Sequence, residues 1–200
     1  MLRRVTYALV VAALGCTNYV PLHYGTAPVP PRALATEPAV TPLVSVIEFE
    51  DARNISDGVD WLGAIRGAGG PGFPMKRLRT EKPVTQVVED AFADGLRARG
   101  VYAEPGQGKV TLGGRVLKFD CNQYFNFEAH ANLVVLVSET ATHALIYTGT
   151  YQADQTEGGP GPDLYKSVEV LRALAERTLR EAVDRALDDP KLREAVQKPR

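Results

Sequence analysis

Between Tyr124 and Val137 the chain alternates almost without a break. Phe125, Phe127, Ala129, Ala131, Leu133, Val135 and Val137 share one side, and Asn126, Glu128, His130 and Asn132 share the other. Successive side chains of an extended strand point to opposite faces, so the pattern predicts a strand with one face on a core and the other in water or against a partner. Two more β segments flank it. Lys109–Asp120 carries Val110, Leu112, Val116, Leu117 and Phe119, and Gly113-Gly114 within it marks a bulge or a close backbone approach. Thr142–Gln152 follows across the short Ser138-Glu139-Thr140-Ala141 turn, which makes the last two segments an antiparallel hairpin.

Elsewhere the apolar period lengthens to that of a helix. Val84, Val87, Val88, Ala91, Phe92 and Leu96 form one stripe along Pro83–Arg99. Pro83 suits a first helical position, and Gly100 suits the left-handed residue past the end. Leu164–Leu187 repeats the pattern with Val168, Leu171, Ala175, Leu179, Ala182, Val183 and Leu187. Leu43–Phe49 is a first strand rich in β-branched residues, and Trp61–Arg66 a short second one. Gly67–Pro74 and Ala153–Asp163 are Gly/Pro-rich loops. Strands that run together with few helices between them predict a single α+β domain over 43–187. Its expected architecture is an antiparallel sheet of about four to five strands packed against two helices. Residues 188–200 read as a charged tail that frays.

The start of the chain says where such a domain works. Arg3 and Arg4 precede an uncharged, mostly apolar run, Val5–Leu14, and Ala13-Leu14-Gly15 leads directly to Cys16. A secretory signal peptide has this order of basic, apolar and small residues. The run is too short to span a bilayer, which takes ~20 apolar residues. The segment 1–15 is similar to a bacterial lipoprotein signal, in which Cys16 is lipidated and becomes the first residue of the mature chain. Residues 16–42 then read as a lipidated cysteine followed by an extended tether, because Pro21, Pro28, Pro30, Pro31, Pro38 and Pro42 break regular structure. Loss of Arg3 and Arg4 takes the net charge from −1 to −3, without the basic face that nucleic-acid binding usually needs. No later segment approaches a second membrane span.

Chemistry finds little purchase. With Cys16 lipidated, Cys121 is a lone cysteine: a buried thiol, an intermolecular bridge or a reactive thiol. The buried reading is preferred, since no neighbour lowers its pKa and Asp120 raises it. Gly67-Ala-Gly69-Gly-Pro-Gly72 matches G-x-G-x-x-G in letters, but it does not join a strand to a helix N-terminus and reads as a plain loop. His23, His130 and His143 lack metal-ligand spacing. Ser45, Ser56, Ser138 and Ser167 lie outside any nucleophile motif. These residues predict no catalytic, cofactor or metal site. What stands out is the aromatic set Tyr124, Phe125, Phe127, Tyr147, Tyr151 and Tyr165. It serves sheet packing, or, with the polar face Asn126, Glu128, His130 and Asn132, a docking surface for a protein partner.

The Ile65-Arg66-Gly67 loop, the helix ending in Arg99-Gly100-Val101, the strand Leu112–Phe119, the hairpin ending in Tyr147-Thr-Gly-Thr150 and the closing helix resemble the YajG-like outer-membrane lipoproteins and the auxiliary lipoproteins of ABC-type transport systems. The resemblance spans 43–187 and carries over Cys16 alone as a functional position. It implies a non-enzymatic module, anchored through lipid on Cys16 and serving a transport or envelope system. Thr17, rather than Asp, after the cysteine is similar to lipoproteins of the outer membrane. The alternative is a small-ligand-binding or enzyme-accessory lipoprotein using the loop at 67–74, which needs a pocket of ~300 Å³ or more.

Overall fold

The computed structural model describes residues 16–25, 43–66, 74–158 and 164–197. The chain runs β1 (Cys16–Val20), β2 (Val44–Asp51), β3 (Trp61–Arg66), β4 (Pro74–Thr80), α1 (Val84–Ala98), β5 (Val110–Gln123), β6 (Phe127–Glu139), β7 (Leu145–Glu157), α2 (Leu164–Leu187) and α3 (Pro190–Gln197). The strands form one seven-stranded sheet, in which β1, β4, β3, β5, β6 and β7 lie side by side and β2 pairs with β5 off this path. β5 is long enough to hold two partners along one edge. Residues 44–51 of β2 run parallel to 110–116, and residues 63–65 of β3 run parallel to 121–123. β5, β6 and β7 form an antiparallel meander along their length.

The sheet is therefore mixed and has seven strands with three helices, which corrects the expected antiparallel sheet of four to five strands on two helices. Parallel pairing follows from the crossover. α1 lies between β2 and β5 in the chain and packs against β2, so β5 re-enters the sheet in the direction of β2. The two unforeseen strands come from segments without a long apolar period: β1 from the expected tether and β4 from the basic stretch after the glycine-rich loop. The expected fraying tail contains α3, whose Leu192 and Val196 are buried.

The two predicted apolar stripes meet the predicted apolar strand. Val84, Val88, Ala91, Phe92 and Leu96 of α1 are buried, as are Leu171, Ala175, Leu179, Ala182, Val183 and Leu187 of α2. α2 packs on β6 and β7, over Phe127, Ala129, Ala131, Leu133, Val135 and Val137. Phe49 of β2 stacks on Phe92 of α1 with ring centroids 5.3 Å apart. All of this lies on one face of the sheet, which leaves the other face of the meander without a covering element among the described residues.

Two glycines set the backbone spacing. A Cβ at Gly63 would sit 1.6 Å from the Cys121 carbonyl oxygen, and one at Gly114 would sit 1.9 Å from that of Val134. The second is the close approach expected of Gly113-Gly114. Gly63→Ala must push β3 away from β5, so it is expected to cost about 3 kcal/mol, the upper end of ordinary overpacking. A urea midpoint equal to that of the parent would contradict the β3–β5 register.

Candidate functional site

Cys16 opens β1, and its thiol is exposed. β1 pairs in parallel with β4, with Cys16 opposite Lys76 and Val20 opposite Thr80. Val20 is buried, and so is Tyr24 just beyond. The Tyr24 hydroxyl donates to Asp184, which also accepts from Arg99 at 3.0 Å. Arg180 Nε donates to the Tyr24 carbonyl at 2.8 Å, and the His23 amide donates to Glu176 at 3.2 Å. Burial first, and the bond to Asp184 second, push the Tyr24 hydroxyl up to about 12. Residues 16–24 thus belong to the domain, which corrects the tether reading over that stretch. Residues 26–42 lie outside those described.

The uncovered face of the meander carries polar rows. Asp120, His130 and Asp154 stand opposite one another on β5, β6 and β7, flanked by the rows Asn122, Glu128, Thr156 and Lys118, Asn132, Gln152. His130 Nδ1 lies 2.6 Å from Asp154 Oδ1, and its Nε2 lies 4.0 Å from Glu128 Oε2. Asp120 is held above the usual carboxylate range, chiefly by burial, with Lys118 and His130 pulling the other way. Glu128, His130 and Asn132 therefore share this face, as the alternation predicts.

Asn126 does not join them. Tyr124, Phe125 and Asn126 form the bend between β5 and β6, where the Tyr124 amide donates to the Asn126 carbonyl at 3.2 Å. β5 continues to Gln123, past its expected end at Asp120, so the alternation of β6 begins only at Phe127. Phe125, expected on the core face, is 87% exposed and Tyr124 45% exposed. The Arg66 guanidinium lies 5.0 Å from the centroid of the Tyr124 ring.

The remaining sequence candidates do not converge. Cys121 is fully buried, and burial, with Asp120 second, pushes its thiol far up, which leaves it inert. His23 lies on the segment after β1, and His143 sits in the β6–β7 turn at φ 56°. Among the described residues no group of three or more His, Cys, Asp or Glu is placed to hold a metal. Residues 67–73 of the glycine-rich loop lie outside those described, and Pro74 opens β4. The clefts that are described lie elsewhere. One of about 360 Å³ lies between residues 21–24 and α1, and an open groove of about 860 Å³ separates β1 from α2. No described helix is long and apolar enough to cross a membrane.

One residue gave no sequence signal. The Arg53 side chain is 3% exposed and grips Asp51 with two parallel bonds of 2.9 and 2.8 Å. It also donates to the carbonyls of Trp61, Val59 and Phe119, at 2.7, 3.0 and 3.3 Å. It ties β2, β3 and β5 together.

The chain matches no protein-family model, and no curated protein matches it. Among solved structures, it is similar to protein XCC0632 from Xanthomonas campestris, of family DUF330, at 14% identity and a TM-score of 0.57, over 90% of this chain and 92% of that one. It is more distantly similar to the PelC dodecamer protein from Paraburkholderia phytofirmans, at 11% identity and a TM-score of 0.43, over 80% and 90% of the two chains. It is also similar to lipoprotein GNA1162 from Neisseria meningitidis, at 9% identity and a TM-score of 0.29, over 68% and 96%. The YajG-like assignment is not confirmed, and what the Xanthomonas protein shares with this chain is the fold.

Proposed function

We propose that this chain is an exported lipoprotein, held by lipid on Cys16 at the periplasmic face of the outer membrane. There it acts as a non-enzymatic binding or accessory module for a transport or envelope system. The observation that carries this reading is the basic, apolar and small-residue order that ends at Cys16. The exposed thiol of Cys16 supports it, since lipid attachment needs an accessible sulfur. The polar rows around Glu128, His130 and Asn132 supply a surface for a protein partner on the side of the sheet away from the helices. Recognition there is by hydrogen bonds and charge, because those rows hold few apolar groups.

Cys16→Ser is the direct test. Bacterial lipoprotein processing places more than one acyl chain on a single cysteine, and stable anchoring needs more than one. The variant is expected to leave the membrane fraction and appear soluble, while the parent stays with the outer membrane on a density gradient. Unchanged membrane association of Cys16→Ser would sink the lipoprotein reading.

A further inference from the structure

We infer that the end of the sheet bearing Cys16 rests directly on the bilayer and dips the β5–β6 turn, Tyr124 and Phe125, into the lipid interface. The inference rests on the proposed lipid anchor and adds what the fold does with it.

The strand directions bring the parts together. β1 starts at Cys16, and its partner β4 starts beside it at Pro74. β3 runs opposite to β4 and ends at Arg66, beside the start of β4. β5 runs parallel to β3 and reaches Gln123 there, one residue before the turn. Cys16, Lys76, Ile65 and Gln123 are therefore one row across four neighbouring strands. Three strand spacings separate Cys16 from Gln123, about 14 Å.

The anchor has no slack. A long extended tether would let the domain float free of the membrane and face any direction. Here five residues starting at Cys16 itself pair with β4, and buried Val20 and Tyr24 hold that strand to the domain. Acyl chains on Cys16 would then draw this end of the sheet to the headgroup level.

The side chains at that end suit the place. Phe125 is 87% exposed, Met75 49% and Tyr124 45%. In water these three have nothing to gain from exposure, whereas aromatic side chains are favoured at the membrane–water boundary. Arg66 lies over the Tyr124 ring, and the basic side chains Lys76 and Arg77 stand on β4 at the same end, residue types that an anionic headgroup layer favours. Glu157, at the same end of β7, is matched by Arg177 at 2.9 Å. A protein partner could also cover exposed aromatics, but only the bilayer is brought to this end by the chain's own anchor.

The test uses the full lipidated chain in vesicles of phosphatidylethanolamine and phosphatidylglycerol with brominated acyl chains, which quench tryptophan on contact. Trp61 is the single tryptophan, so Trp61→Phe gives a dark background. In it, Phe125→Trp reports on the turn, and Met75→Trp reports on the same end from another strand should the first variant misfold. Leu145→Trp reports on the opposite end, where Leu145 is 59% exposed. Emission of the first two is expected to fall at least twofold relative to unbrominated vesicles, and that of Leu145→Trp to stay unchanged. Protein that floats with the vesicles but shows no quenching of Phe125→Trp and Met75→Trp overturns the inference and leaves the anchor standing. Equal quenching at both ends overturns it as well. Absence of acyl mass on Cys16, with loss of flotation, overturns the anchor reading and this inference with it.

Discussion

A chain that begins at Val40 is expected to melt about 5–10 °C below one that begins at Cys16. The removed segment buries Val20 and Tyr24, and burial of each such side chain is worth about 1.5–3 kcal/mol. It also removes one hydrogen bond from each of Arg180, Asp184 and Glu176 on α2. The conformational freedom regained by the residues of 16–24 opposes this loss. The strand pairing of β1 with β4 weighs on the other side, and a net loss of about 2–3 kcal/mol converts to the stated shift at ~2–4 °C per kcal/mol for a chain of this size. Tyr24 gives the difference a pH signature. Its hydroxyl titrates at about 12 in the fold against an ordinary 10.0, so the neutral form is the stabilised one. Its contribution is complete below pH 10 and disappears as the pH rises toward 12. The gap between the two chains should therefore narrow in strong alkali. Differential scanning calorimetry measures it, with Val20→Ala and Tyr24→Ala as point controls. Equal melting temperatures for the long and short chains would return 16–24 to the tether.

The parts that could be read in advance are those in which one period persists over many residues. The alternation of β6 survives from Phe127 to Val137 because every second residue meets α2. The stripes of α1 and α2 survive for the same reason in reverse. Five residues such as Cys-Thr-Asn-Tyr-Val are too few to show a period, and the prolines that follow made a tether the natural reading of β1. β4 does alternate, with Leu78 and Thr80 inward, but Lys76 and Arg77 disguise it near the sheet's end. α3 hides its two buried residues among Lys, Arg and Glu. At the site, Glu128, His130 and Asn132 kept their register because strand geometry fixes it, whereas Asn126 and Phe125 depended on where a turn falls. Turn position is set by the length of β5, which runs to Gln123 to pair with β3, a contact between residues far apart in sequence. The shared end of Cys16 and Phe125 depends on the same long-range pairings.

Arg53→Met is expected to cost about 2–3 kcal/mol, the upper part of the range for losing hydrogen bonds to a charged group, since Asp51 is partly exposed. The magnitude comes from what is left behind. Asp51 loses its two parallel bonds and keeps only the backbone amide of residue 53 at 3.2 Å, and the carbonyls of Val59, Trp61 and Phe119 each lose a donor, the first of them retaining the Val84 amide at 2.9 Å. Acceptors that lose a donor away from water are costly, while methionine restores only the apolar part of the contact. Asp51→Asn tests the same fork from the other side, leaving a guanidinium that is 3% exposed without its counter-charge. The double variant Arg53→Met with Asp51→Leu should recover part of the loss, because replacing both members of a buried pair avoids stranding either charge. Acid weakens the Arg53–Asp51 pair. The bond to Arg53, ahead of the opposing effect of burial, holds the Asp51 carboxyl below its ordinary 3.8. Its contribution is complete above that value and is lost as the pH falls through the lower folded one. The difference between parent and Arg53→Met in urea should thus be largest at neutral pH and shrink in acid. A neutral-pH difference within about 0.5 kcal/mol, the ordinary range for a surface change, would mean that Arg53 is not the tie between β2, β3 and β5.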